Sequence, residues 1–182
     1  TVSESYSQEI LTEEYSERMD KVLLSRKNDL SGIVNGIDID MWNPETDKNI
    51  IENYNKKRLS GKKKCKKQLQ KQLGLRVSDD VLLVGMVSRL TWQKGVSIIL
   101  EKLSEIMNQD IQLIILGTGD GYIESQFKQI EHTYPHRAVF YCGYNEALSH
   151  QVYAGVDVLL MPSLFEPCGI SQLIAQRYGT LP

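Results

Sequence analysis

Four short segments of the chain carry the residues best suited to chemistry. Ser88-Arg89-Leu90-Thr91-Trp92-Gln93-Lys94-Gly95 places two cations, Arg89 and Lys94, on either side of a turn that leads into a helix. A guanidinium fork, an ammonium and unpaired helix N–H groups suit a diphosphate; the plainer reading is two surface cations, one of them capping a helix. Gly117-Thr118-Gly119-Asp120-Gly121 can let backbone approach a ligand closely, or can serve only as a tight strand-to-helix turn. Tyr144, next to Gly143, can stack on a base or be an ordinary core or surface tyrosine. In Phe165-Glu166-Pro167-Cys168-Gly169-Ile170-Ser171, proline stiffens the loop that holds a carboxylate. Glu166 can accept hydrogen bonds from sugar hydroxyls or cap a helix, and the helix opening at Gly169 can bind phosphate. Cys168 has no histidine near it in sequence and reads as a small hydrophobe rather than a nucleophile. Taken together, the four segments point to a ligand made of a base, a diphosphate and a sugar.

The elements that must position these residues follow from periodicity. Val81–Val87 (VLLVGMV), Ile111–Leu116 (IQLIIL) and Val156–Met161 (VDVLLM) are continuous apolar runs, the pattern of strands buried on both faces, and Ala138–Cys142 is a shorter strand. Helical spacing predicts helices over 95–107, 120–132, 145–154 and 170–178. Alternating strands and helices imply βαβ units and a parallel sheet, an α/β Rossmann-like fold. Each chemistry-bearing segment then follows the carboxyl end of a strand, where open parallel sheets bind ligands. Upstream, the sequence predicts a short helix through Tyr6–Tyr15, an irregular one over 20–30, and a lysine-rich helix over 62–73 stopped by Gly74.

Composition excludes several classes. The chain has 182 residues, 41% hydrophobic and 24% charged, as in an ordinary soluble globular protein. No apolar run is long enough for a membrane helix, and Thr1–Ile10 lacks the basic start and apolar stretch of a secretory signal. Cys65, Cys142 and Cys168 are odd in number and widely spaced, which argues against a disulfide framework and for a reducing, cytoplasmic setting. His132 and His136 are four apart, but Pro135 interrupts them and no carboxylate completes a metal site. An NAD site fails because Tyr122 stands where the dinucleotide fingerprint needs its third glycine. Ten of the 21 basic residues fall between Lys56 and Arg76 with no acidic residue among them. Without interleaved aromatics for base stacking, that run reads as the wet face of a helix whose dry stripe is Cys65, Leu69 and Leu73, not as a nucleic-acid surface.

At this point the motifs match a family. SRLTWQKG (88–95), GTGDG (117–121), GYNEALSH (143–150), PSLFEPCG (162–169) and YGTLP (178–182) resemble the bacterial glycogen synthase and plant starch synthase family, as do TVSESYSQEI (1–10), DLSGIVNGID (29–38) and WNP (42–44). The resemblance implies the GT-B architecture, in which two Rossmann-like domains face across a cleft. Residues 1–34 would be the exit from the N-terminal domain and the interdomain linker, and 35–182 part of the C-terminal nucleotide-sugar-binding domain. It implies retaining transfer of glucose from ADP-glucose to the non-reducing end of an α-1,4-glucan, releasing ADP, with no cofactor and no metal. Arg89 and Lys94 would hold the diphosphate, Tyr144 would pack on adenine, Glu166 would bind the glucose hydroxyls, and Gly117, Thr118, Gly119, Cys168, Gly169, Ile170 and Ser171 would line the donor site. Where related GT-B enzymes carry a second glutamate eight residues after the first, this chain has Ile174, so that residue cannot be a nucleophile and front-face transfer is favoured. The partners expected are the sugar nucleotide and the glucan, with neither nucleic acid nor membrane. The family's Lys-Thr-Gly-Gly-Leu loop, catalytic-site histidine and most of its acceptor surface lie in the N-terminal domain, which the chain lacks, so the chain alone is expected to be inactive. Other GT-B enzymes, a non-catalytic nucleotide-binding module and an inert truncated product are the competing readings.

Overall fold

The computed structural model describes residues 1–182 and divides into two compact units: Thr1–Ile37 with Phe165–Ile170, and Asp38–Leu164 with Ser171–Pro182.

The larger unit is built on four parallel strands, β1 (Leu82–Val87), β2 (Ile111–Gly117), β3 (Ala138–Cys142) and β4 (Val158–Leu159), in the order β3-β2-β1-β4. The apolar runs predicted as strands are buried on both faces, and alternation divides them between two cores. Val84, Met86, Leu113 and Ile115 pack with Val96, Ile99 and Met107 of α4 (Val96–Met107) and Phe127 and Ile130 of α5 (Gly121–Thr133). Leu83, Ile114 and Leu116 pack on the opposite face with Leu69 of α3 (Ser60–Gln72) and Leu148 and Val152 of α6 (Glu146–Gly155). The result is a helix–sheet–helix sandwich of Rossmann type. The order reverses between β1 and β4, so their carboxyl ends form the switch point where such sheets bind ligands.

Two expectations need correction. The strand read over 156–161 is only Val158–Leu159. Val156 is spent capping α6, and the Asp157 carboxylate takes the Leu83 amide at 2.8 Å in place of a ladder bond. Pro162, with no N–H, cannot extend the ladder further. On its other side β4 bridges to Leu181 in parallel. The lysine-rich helix is also not simply wet. Lys66 is 7% exposed and donates to Asp157 Oδ2 at 2.7 Å and to the Val81 carbonyl at 2.7 Å. Lys62 reaches inward to Thr180 Oγ1 at 2.7 Å and the Ala154 carbonyl at 3.1 Å. Long stems cross the apolar stripe to reach buried acceptors, which a pattern of residue types does not distinguish from a solvated face.

In the smaller unit the first predicted helix is shorter than its pattern, α1 (Glu4–Glu9), begun by the Ser3 hydroxyl accepting from the Tyr6 amide at 3.1 Å. The second is α2 (Asp20–Ser25), followed by a 3-10 turn over Lys27–Asp29. Residues 31–33 run beside the N-terminus: the Thr1 ammonium donates to the Ser31 carbonyl at 2.6 Å and the Ile33 amide to the Thr1 carbonyl at 2.8 Å. The Phe165 ring meets Tyr15 edge-on at 5.3 Å, and the Cys168 thiol lies 3.8 Å from the Asn35 carbonyl.

Candidate functional site

At the carboxyl ends of β1, β2 and β3, the larger unit opens into a cleft of about 300 Å³. Its lining draws on Ser88 and Arg89 after β1, Gly117 and Thr118 at the end of β2, and Gly143, Tyr144 and Asn145 after β3. Trp42, Ser149, Tyr153 and Ser171 complete it. Arg89 is the only charged side chain among these residues; the rest are aromatic, apolar, glycine or neutral polar. A cation with so little competing charge favours an anionic ligand.

The floor of the cleft is main chain against main chain. A Cβ on Gly117 would lie 1.9 Å from the Ser88 carbonyl oxygen, and one on Gly119 2.3 Å from that of Leu90. The Leu90 amide donates to the Thr118 carbonyl at 2.9 Å and the Asp120 amide to the Leu90 carbonyl at 2.9 Å. Both glycines are therefore required by the approach of the two loops to each other. After β1, the 3-10 turn Trp92–Lys94 ends at Gly95, whose φ of 65° and ψ of 19° lie in the left-handed region. A Cβ there would stand 1.9 Å from the Pro162 carbonyl oxygen, and the Leu164 amide donates to the Gln93 carbonyl at 2.9 Å. The loops after β1 and β4 are thus locked together at the switch point, just before α4 begins.

Tyr144 stands 82% exposed on the rim, its hydroxyl donating to Glu146 Oε2 at 3.1 Å, so of its open readings the core tyrosine is excluded. Behind the wall lies a buried group that sequence reading did not anticipate. Trp42 stacks on His150 with ring centroids 4.0 Å apart and meets Tyr153 edge-on at 5.6 Å. His150 Nδ1 is 2.8 Å from Asp47 Oδ2, and Tyr178 donates to the same oxygen at 2.5 Å. Burial and the Asp47 carboxylate push the Tyr178 phenol well above its usual range, so it remains a donor. The Tyr153 phenol, raised by burial, bonds Ser171.

The structure brings Arg89, Gly117, Thr118, Tyr144 and Ser171 to one cleft, with Gly119 immediately behind the rim. Lys94 closes the next turn along the β1 loop and is not part of the lining. Glu166, Cys168, Gly169 and Ile170 belong to the smaller unit. Ile174, on α7 (Ile170–Arg177), is 5% exposed and packs as core. The residues missed by sequence reading are Trp42, Asn145, Ser149 and Tyr153. Trp42 enters the sequence analysis only within the WNP motif, and its distance from the strands in sequence hides its place in the wall. His136 is directed to the Gly74 carbonyl at 3.0 Å through Nδ1.

Comparison with known proteins adds a family to this geometry. Residues 78–181 match the model of the family described as "Glycosyl transferases group 1". The whole chain is 47% identical to Glycogen synthase 1 of Geobacter sulfurreducens, spanning 36% of that protein, and 47% identical to the chloroplastic/amyloplastic Starch synthase 1 of Triticum aestivum, spanning 28% of it. Among solved structures, the catalytic domain of Starch Synthase IV from Arabidopsis thaliana, bound to ADP and acarbose, superposes with a TM-score of 0.94 at 39% identity, over all of this chain and 38% of that one. The chain therefore spans about a third of the length of the relatives it matches.

Proposed function

Because the chain belongs to the glycosyl transferases group 1 family, we propose that its cleft binds the nucleotide end of an activated sugar, and that it is the donor-binding part of a glycogen or starch synthase. The observation that carries the reading is Arg89, a lone cation in a cleft whose other parts are a glycine-floored strand end and an exposed tyrosine. The donor in this reading is ADP-glucose, the acceptor the non-reducing end of an α-1,4-glucan, and the product ADP. Tyr144 packs on adenine, while Arg89, with Lys94 and the free amides opening α4, takes the diphosphate.

Fixed positive charge at the diphosphate lowers the barrier by stabilising the negative charge that grows there as the glycosidic bond breaks. That role needs no metal and no cofactor. Ile174 offers no carboxylate, so the transfer runs on the front face through an oxocarbenium-like ion pair, with retention. Lys94, Glu166, Cys168, Gly169 and Ile170 take their donor-binding roles from the family resemblance alone. A cytoplasmic setting is part of the proposal and rests on three unpaired, widely spaced cysteines. No helix is long and apolar enough to cross a membrane.

Isothermal titration calorimetry of the chain with ADP tests the reading. Binding is expected, and Arg89→Ala should weaken it about tenfold or more, the worth of a charge-assisted hydrogen bond. No heat with ADP at millimolar concentration would refute it. The chain alone should release little ADP from ADP-glucose and glycogen; turnover near that of a full-length relative would overturn that part.

A further inference from the structure

Glu124 stands one turn into α5, beside the cleft but outside its lining. Two hydrogens converge on its carboxylate. The Thr118 hydroxyl donates to Oε1 at 2.6 Å and the Gly119 amide to the same oxygen at 2.9 Å. These donors, Thr118 foremost, hold the Glu124 carboxyl down to about 2, so it is a carboxylate and accepts only. Capping does not explain the arrangement. Asp120 already caps α5, taking the Tyr122 and Ile123 amides at 2.9 and 3.1 Å. Glu124 instead ties the loop that leaves β2, and with it Thr118, to the first turn of α5.

The consequence falls on Thr118. A hydroxyl has one proton, and here that proton points at Glu124. What Thr118 offers the cleft is lone pairs. By strand order it sits between Arg89, after β1, and Tyr144, after β3, hence between the groups assigned to the diphosphate and to the base.

We infer that Glu124 is a positioning residue for nucleoside recognition: by claiming the Thr118 proton it makes that hydroxyl an acceptor only, so the cleft selects a hydrogen-bond donor on the nucleoside, a ribose hydroxyl or an exocyclic amine. The inference rests on the nucleotide-binding reading above. A ligand with a carbonyl or a bare carbon at that point leaves Thr118 unsatisfied, the kind of mismatch sites discriminate against most strongly.

The test measures Kd by calorimetry for ADP, 2′-deoxy-ADP, 3′-deoxy-ADP and IDP, whose base carries a carbonyl where adenine has its amine. The parent chain, Thr118→Val, Glu124→Ala and Glu124→Gln are compared. At least one analogue should bind the parent about fivefold or more weakly than ADP, the scale of one hydrogen bond. The deoxy and IDP arms distinguish ribose from amine. That penalty should shrink to less than about twofold in Thr118→Val; in Glu124→Ala the freed hydroxyl can turn and donate to a carbonyl, so a penalty against IDP should shrink likewise, whereas a penalty against a deoxy analogue should persist. The IDP penalty should return in Glu124→Gln, whose amide oxygen must face the Gly119 N–H and so still accepts from Thr118. Asp120 remains as cap in every variant, and circular dichroism checks that α5 is intact. Equal affinity of the parent for all four nucleotides, an undiminished penalty in Thr118→Val, or an undiminished IDP penalty in Glu124→Ala overturns the inference. Failure of the parent to bind ADP at all removes the nucleotide-binding reading instead, and this inference with it.

Discussion

Replacing Gly95 by alanine should separate the loops after β1 and β4 and be the most damaging single methyl addition near the cleft. At φ 65° an L residue with a Cβ costs about 1–2 kcal/mol. The new methyl would also sit 1.9 Å from the Pro162 carbonyl oxygen and 2.6 Å from its carbon, whereas comfortable contact is roughly 3.5 Å. The neighbour is backbone, held on one side by the Leu160 amide on the Gly85 carbonyl at 2.7 Å and on the other by the Leu164 amide on Gln93 at 2.9 Å. Forcing it aside adds about 1–3 kcal/mol, as for overpacking a core. The total is near 3 kcal/mol, or a fall in Tm of about 10 °C for a chain of this size. Gly74→Ala is the control for conformation alone, since Gly74 has φ 70° and nothing within 4 Å of a new Cβ. It should lose only about 1–2 kcal/mol. Gly121→Ala, at the first position of α5 with open space and no positive φ, should be neutral or slightly stabilising. Urea unfolding followed by circular dichroism ranks the three. If Gly95→Ala were no worse than Gly74→Ala, the close approach of the two loops would carry no weight and the argument from Pro162 would fail.

Lys66→Met removes one partner of a buried pair and should cost about 3 kcal/mol in urea unfolding, the low end of the usual range because Asp157 keeps a third of its side-chain surface exposed; a change below about 1 kcal/mol would mean the pair is effectively solvated. Burial brings the Lys62 ammonium down to about 8 against an ordinary 10.5, so the folded chain sheds a proton that the unfolded one keeps between those values. Stability should therefore rise with pH from 8 toward 10. Lys62→Met should flatten that rise, and identical pH slopes for the two proteins would contradict the assignment. Tyr178→Phe strips one donor from Asp47 Oδ2 in a buried site and should cost about 1–3 kcal/mol. It should also loosen the base of Trp42, read as lower quenching protection of the indole fluorescence; unchanged stability would show that the His150 bond alone suffices.

The sheet was legible because its strands are buried on both faces, and uninterrupted apolar runs such as VLLVGMV have few other uses. The same logic failed at β4, where Val156 ends α6 and the Asp157 side chain, not a further strand residue, takes the Leu83 amide, neither of which hydropathy registers. The lysine-rich helix was placed correctly by the recurrence of Cys65, Leu69 and Leu73, yet the inward turn of Lys62 and Lys66 depends on Thr180 and Asp157, more than ninety residues away. The cleft was located by the rule that ligands gather at carboxyl ends of parallel strands, which brought out Arg89, Thr118 and Tyr144. Trp42 escaped because nothing in its local sequence marks a wall residue. Gly117 and Gly119 were noticed for closeness to a ligand, while their nearest neighbours are the carbonyls of Ser88 and Leu90.

That backbone floor bears on how such a cleft can change. With glycine held at 117 and 119, that floor presents only carbonyls and amides, so its depth and tilt are set by the main chain rather than by the side chains around it. Mutational drift is thereby channelled to the border, to positions such as 118 and 144, where one replacement can alter what is welcomed without reshaping the seat beneath. A scaffold of this kind can be retuned to a new ligand in small, separately viable steps.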